Sequence, residues 1–280
     1  MATKQPRVWL ITGASSGFGH AIAEAALAAG DTVVGAARRP DALADLEASA
    51  PGRVSSIRLD ITDIDRIRAA VAEVLEGHGR IDVVVNNAGR GAVGAAEETS
   101  DGELRDLMDL HFFGPAALTR EVLPHMRERG TGAIVQMSSM GGRFSFPGVG
   151  AYSATKFALE GWSEALAKEV ERFGIRVLIV EPGAFRTSFN ASGALLLSKR
   201  MPAYAEQVDA VRTNLANDDG KQPGDPAKAA AAILQALDSD DPPLRLALGN
   251  DAVDAITELL DNAKAELAAW ESVGRSAVFD

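Results

Sequence analysis

Six short runs rich in β-branched and apolar residues recur through the first two thirds of the chain, each followed by a stretch with helical spacing. The runs are VWLIT (8–12), TVVGA (32–36), VSSIRL (54–59), IDVVVN (81–86), GAIVQM (132–137) and IRVLIV (175–180). Most are apolar along their whole length, the mark of strands buried on both faces rather than one. Helical patterns fill the gaps near 18–29, 40–49, 63–77, 102–129 and 151–173. This order constrains the fold severely, because strands joined through helices run parallel and the crossovers wind right-handedly. The expected fold is α/β: one doubly wound parallel sheet of about seven strands, with helices on both faces.

Past Pro182 the pattern loosens. Residues 188–224 mix short apolar pieces such as ALLLS with Asn, Asp, Gly and Pro, which reads as a substrate lid carrying one helix near 203–215. A helix at 226–237, a strand LRLAL at 244–248 and a helix at 251–271 then complete the sheet and cover it. With 280 residues and 46% hydrophobic content, the chain suffices for a single domain over 1–280. A net charge of −11 provides no basic stripe, so neither nucleic acid nor a membrane surface is an expected partner. The absence of Cys excludes disulfides, thiol nucleophiles and Cys-ligated metal, and no metal site is expected. The first residues lack a leader-like apolar stretch, and no apolar run approaches the ~18 residues of a membrane span. A cytoplasmic location follows as the expectation.

The first strand runs into TGASSGFGH, with Gly13, Gly17 and Gly19. Glycines here permit a tight turn and close approach of a pyrophosphate, and the following helix offers free N–H groups. The same residues also spell Gly13-Ala14-Ser15-Ser16-Gly17, the nucleophile-elbow pattern of a serine hydrolase, for which only His20, His78, His111 and His125 could serve as bases. After the second strand, Ala37 stands where an NAD site places an acid, followed by Arg38 and Arg39. Cations there favour the 2′-phosphate of NADP, although two arginines also open a surface helix well. Asp60 ends IRLD and either accepts from an adenine amino group or caps the next segment. VVNNAG (84–89) ends the fourth strand, where a doubly wound sheet reverses its order, and Ser138 and Ser139 end the fifth. Tyr152 and Lys156 stand four apart on a helix, which places their Cβ atoms about 6 Å apart on one face.

In this order and spacing, TGASSGFG, NNAG, SS with YSATK, and PGAFRT (182–187) resemble the short-chain dehydrogenase/reductase family. ARRP and VEPGAFRT are similar to its branch of steroid- and retinol-dehydrogenase-like members. The resemblance implies a Rossmann-type fold and hydride transfer between NADP and a carbonyl or secondary alcohol, with Ser139, Tyr152 and Lys156 as catalytic residues. A phenol of ordinary pKa near 10 is a weak acid–base catalyst at pH 7, and lowering it by ~3 units takes about 4 kcal/mol. Lys156 and the oxidised nicotinamide are the expected sources, and Ser139 the group that fixes the substrate oxygen. The implied cofactor residues are Gly13, Ser15, Ser16, Gly17, Phe18, Gly19, Arg38, Asp60, Ile61, Asn87, Ala88, Gly89, Pro182, Gly183, Phe185 and Thr187, joined by Tyr152 and Lys156 at the ribose. His111, in DLHFFGP, takes the place of the family's Asn that holds a relay water, and it is expected neutral and able to pass a proton. The lid and the Phe144/Phe146 segment point to an apolar substrate. Family members also pair through the two long helices, so a homodimer or homotetramer is expected, with Leu107, Leu118, Leu159 and Leu166 as the apolar surplus. The alternative within the same fold is a catalytically silent NADP-binding sensor or scaffold.

Overall fold

A computed structural model of the chain describes residues 5–191 and 194–279. Residues 1–4, and residues 192–193 of the expected lid, lie outside the described residues. In chain order the first half comprises β1 (Val8–Thr12), α1 (Gly17–Ala28), β2 (Thr32–Ala37), α2 (Ala44–Ser49), β3 (Val54–Arg58), α3 (Ile64–His78), β4 (Val83–Asn86), β5 (Ala92–Val93), α4 (Asp101–Met108) and α5 (Gly114–Arg129). The second half comprises β6 (Gly132–Met137), α6 (Gly150–Val170), β7 (Ile175–Pro182), β8 (Leu196–Leu197), α7 (Ala205–Asn217), α8 (Pro226–Asp238), β9 (Arg245–Leu248), α9 (Asn250–Ala269) and α10 (Glu271–Arg275).

Seven strands form one parallel sheet in the order β3-β2-β1-β4-β6-β7-β9. Side chains alternate across it. Trp9, Ile11, Val83, Val85 and Val135 point into a core shared with α1 and α8, while Val8, Leu10, Val84 and Ile134 point into one shared with α3, α5 and α6. Each face is dry, which is why these strands read as unbroken apolar runs. Full burial of one such Val, Leu or Ile side chain contributes roughly 1.5–3 kcal/mol. The strand order reverses between β1 and β4, and the crevice there is the natural ligand position in such a sheet.

Three features differ from the sequence expectation. The helix expected at 40–49 divides into a 3₁₀ turn (Pro40–Leu43) and α2. The long helix expected at 102–129 is α4 and α5 joined through a π-helical turn, Asp109–Phe113. In addition, β5 and β8 pair as a separate two-stranded sheet that ties the lid to the segment after β4. Leu107, Leu118, Leu159 and Leu166, expected at a subunit interface, are at most 3% exposed and lie within the chain's own core. The side chains that the long helices turn outward are Leu104, Phe113 and Phe157. Beyond Ile256, α9 runs out from the body and exposes Leu260, Leu267 and Trp270.

Candidate active site

The site is assembled at the carboxyl ends of the parallel strands. After β1 the chain turns through Gly13 (φ +66°) and Gly17 (φ +55°), in the left-handed region that other residues adopt only with strain. Gly19 is helical, but a Cβ there would collide with the Gly13 carbonyl and the Asn87 side chain. The N-terminus of α1 has no side-chain cap at Ser16, so its first N–H groups face outward from the turn that also holds Ser15 and Phe18. Thr12 stitches this turn to the NNAG segment. Its Oγ1 accepts from the Asn87 N–H (2.9 Å) and the Ala88 N–H (3.1 Å), and the Asn87 side-chain amide donates to the Thr12 carbonyl (2.9 Å). The result is a tightly packed, backbone-lined turn at a helix N-terminus, whose free N–H groups suit a dinucleotide pyrophosphate, with position 19 limited to glycine by the chain's own Gly13 carbonyl and Asn87 amide.

Arg38 and Arg39 emerge exposed from β2, and Arg58, in register with Ala37 on β3, stands beside them. Together they line an open groove of about 650 Å³. Arg58 went unread in the sequence, since only strand pairing carries it next to residues twenty positions earlier. Asp60 caps its own turn, its Oδ1 accepting from the Thr62 N–H (3.1 Å) and hydroxyl (2.8 Å). Ile61 is buried against the start of α5, where Gly114 leaves room for its carbonyl.

On the other side of the switch point, Ser139 follows β6 and caps a 3₁₀ turn, its Oγ accepting from the Gly141 N–H (3.0 Å). Tyr152 and Lys156 lie on the first turns of α6. Lys156 is buried, with its Nζ donating to the Met137 carbonyl (2.8 Å) and sitting 5.7 Å from the Tyr152 ring centre. The ring meets His111 edge-on at 5.6 Å and Phe189 of the lid at 6.1 Å. Burial pushes the phenol up to about 12, against the pull of a hydrogen bond with Ser139. The sequence expectation of a lowered phenol counts on Lys156 together with the oxidised nicotinamide; in the chain alone the ammonium contacts the ring face and a carbonyl. Burial also brings Lys156 down to about 8, with the Glu160 carboxylate opposing the fall. At pH 7 the pair is therefore a neutral phenol and an ammonium.

His111 sits in the π turn, 1% exposed. Its Nε2 accepts from the Arg90 N–H (3.1 Å), so the ring proton is on Nδ1 and points to Thr155 Oγ1 (2.9 Å). Thr155 donates in turn to the Tyr152 carbonyl (2.7 Å). Burial first, then the charges of Lys156 and Arg90, hold the imidazole well below its ordinary value. With both nitrogens engaged, the ring has none free for the relay water that the sequence assigned to it. Gly89 lies against it, since a Cβ there would stand 3.1 Å from Nε2.

Pro182 ends β7, and Gly183 donates to the Leu248 carbonyl (2.9 Å) with the Asp251 carboxylate close against its Cα. Phe185 packs on Phe18 at 5.0 Å, and Thr187 borders Gly17. The lid beyond is tied down by Glu98, 6% exposed, which accepts from the N–H groups of Met201 (2.7 Å) and Ala95 (2.8 Å) and from Arg212 (2.8 Å). These donors hold its carboxyl below the usual range against the cost of burial. The hydrolase reading fails on its base. His20 pairs with Glu24, His78 with Ser55, His111 with Thr155 and His125 with the Ile81 N–H, and among the described residues no hydrogen bond joins any of them to Ser15. Among the described residues no cluster of three His, Asp or Glu could hold a metal ion, and no helix is long and apolar enough to cross a membrane.

A glycine-turn crevice beside a Ser, Tyr and Lys at the ends of parallel strands defines a dehydrogenase-type site. The short chain dehydrogenase family profile matches residues 7–194, and the chain belongs to that family of oxidoreductases. It is 37% identical to the oxidoreductase BOA17 of Botryotinia fuckeliana, over 95% of this chain and 97% of that one. It is also 37% identical to a 3-ketodihydrosphingosine reductase of Bacteroides thetaiotaomicron, over 88% of each. A crystal structure of a short-chain dehydrogenase from Streptomyces avermitilis superposes with a TM-score of 0.93 at 61% identity, covering 98% of this chain and all of that one.

Proposed function

We propose that this chain is an NADP-dependent oxidoreductase that moves a hydride between the nicotinamide and a carbonyl or secondary alcohol of an apolar substrate, with Tyr152 as the acid/base. The observation that carries the reading is the convergence of the Tyr152 phenol, the Ser139 hydroxyl and the Lys156 ammonium beside a glycine cradle at the switch point. Gly13, Ser15, Ser16, Gly17, Phe18 and Gly19 would hold the pyrophosphate, and Arg38 with Arg39 and Arg58 a 2′-phosphate. Asp60 and Ile61 would border the adenine, Asn87, Ala88 and Gly89 the central ribose, and Pro182, Gly183, Phe185 and Thr187 the carboxamide end. When bound, the dinucleotide supplies or accepts the hydride. Ser139 fixes the substrate oxygen, and Tyr152, protonated at pH 7, donates to that oxygen in the reductive direction. Lys156 offsets the phenolate charge that this leaves, and also holds the ribose. Phe189 against Tyr152, with exposed Phe146 and Leu197 nearby in the chain's lid and loop, favours an apolar substrate, as does the likeness to steroid- and retinol-dehydrogenase-like proteins. The proposed setting is the cytoplasm, and the proposed assembly a homodimer or homotetramer.

Titration separates the cofactors. NADPH should bind at least tenfold more tightly than NADH, about 1.4 kcal/mol, and Arg38→Asp should reverse the order. Equal affinities in the parent would remove the arginine groove from the reading. A panel of apolar ketones should then oxidise NADPH, whereas tight NADPH binding without turnover on any of them would favour the sensor alternative.

A further inference from the structure

The face of α6 that carries Tyr152 and Lys156 continues at the same spacing with Glu160 and Glu164. Glu160 is 4% exposed and lies at the buried end of a charged cluster between α6, β7 and β9. Arg245 of β9 reaches Glu160 (3.0 Å), Glu164 (3.0 Å) and Glu181 of β7 (3.4 Å), and Arg143, after β6, reaches Glu181 (3.0 Å). Three carboxylates thus face two guanidinium groups. Lys156 is the next cation along this face, one helical turn from Glu160; its Nζ donates to the neutral Met137 carbonyl and makes no direct ion pair among the described residues, while Glu160 Oε1 is buried without a hydrogen-bond partner. Buried charges persist only when paired, and an ammonium left without a countercharge gives up its proton.

We propose that Glu160 is a positioning residue whose surplus negative charge, left over from the Arg143–Glu181–Arg245 cluster, keeps the buried Lys156 protonated. The proposal rests on the reading of Lys156 as part of the active site. The other titratable or charged groups around Lys156 are Tyr152 on its own helix, His111 in the π turn with Arg90 behind it, and Glu181, Arg143 and Arg245 across the cluster. His111 is neutral and Tyr152 protonated in the range where Lys156 titrates, so neither supplies a negative charge. Burial first, with the neighbouring Glu181 carboxylate, holds the Glu160 carboxyl above its ordinary range against the pull of Ser138 and Arg245. Glu160 also opposes the downward shift of Lys156.

The test follows the Lys156 titration directly, by NMR of protein labelled with ¹³C-lysine, the resonance being assigned with Lys156→Arg. In Glu160→Gln the midpoint should fall by about one unit, and in the exposed control Glu164→Gln it should stay within about 0.3 unit of the parent. Arg245→Gln frees Glu160 from its cation and should move the midpoint upward, an opposite sign that keeps the test open if Glu160→Gln does not fold. An unmoved midpoint in Glu160→Gln, or a downward shift in Arg245→Gln, would overturn the proposal. Turnover is read separately. A parent that fails to oxidise NADPH with any ketone defeats the functional reading, whereas an active parent with an unmoved Lys156 midpoint defeats only the role of Glu160.

Discussion

His111 acts as a strut between two backbones: it takes the Arg90 N–H on one side and reaches the Tyr152 carbonyl through Thr155 on the other. Its folded-state pKa is depressed, so the unfolded chain binds a proton at 111 below about pH 6.5 that the folded chain refuses. Stability from this residue is complete above that pH and declines as the pH falls below it. Urea unfolding at several pH values between 5 and 7.5 should give the parent a steeper acid loss than His111→Asn, by up to about 1.4 kcal/mol per pH unit for one proton. Parallel curves would show that the imidazole is not held neutral. His111→Leu leaves the half-buried Arg90 N–H without its acceptor and should cost about 1 kcal/mol or more. Lys156 sets a second limit: with its value near 8, reduction at saturating NADPH should be level from pH 6 to 7 and fall roughly tenfold by pH 9. A rate that stays level to pH 9 would remove the ammonium from the mechanism. The Tyr and Lys were legible in the sequence because one helical turn fixes their spacing locally. Arg58 and the surroundings of Glu160 were not, because strand pairing and the approach of β9 decide them.

Among the elements, the lid and the π turn depart furthest from local rules. The lid rests on two-residue strands β5 and β8 and on Glu98, which together join residues about a hundred positions apart. No run of two residues announces a strand, whereas the five inner strands of the main sheet announce themselves by being buried on both faces. Glu98→Gln would leave Arg212, whose side chain is 13% exposed, without its countercharge, a change that costs up to about 3 kcal/mol locally. Limited proteolysis should then cut between 199 and 221 faster than in the parent while the sheet stays intact. An unchanged cutting pattern would mean that the β5–β8 pair alone holds the lid. The π turn was invisible for a related reason. Apolar helical spacing runs on across residues 102–129, and Gly114-Pro115 marks a local break without saying how the turn before it is wound; the packing of His111 against Thr155 and Gly89 shows where one extra residue is accommodated.

Whole-molecule assembly depends on which apolar side chains are left over once the core is full. Helical spacing identifies an apolar face but not the neighbour that covers it, so four core leucines read as surplus while Leu104, Phe113 and Phe157 carried no special signal. Light scattering should give at least twice the 29.3 kDa of one chain. Joint replacement of Phe113 and Phe157 by Glu, or of Leu267 and Trp270 by Glu, should lower that mass if the corresponding face is an interface, and a monomeric parent would end the oligomer reading. The cradle, the arginine groove, Ser139 and the Pro182–Thr187 segment come from the ends of β1, β2, β3, β4, β6 and β7 and the Tyr–Lys pair from α6, so the proposed dinucleotide site draws on most of the sheet. Mass action then links the cofactor to the entire fold. A dinucleotide at one hundred times its dissociation constant stabilises the native state by about 2.7 kcal/mol. For a chain of this length that is a rise of about 5 °C in Tm, so melting curves with NADPH and with NADH in turn rank the two cofactors before any substrate is known.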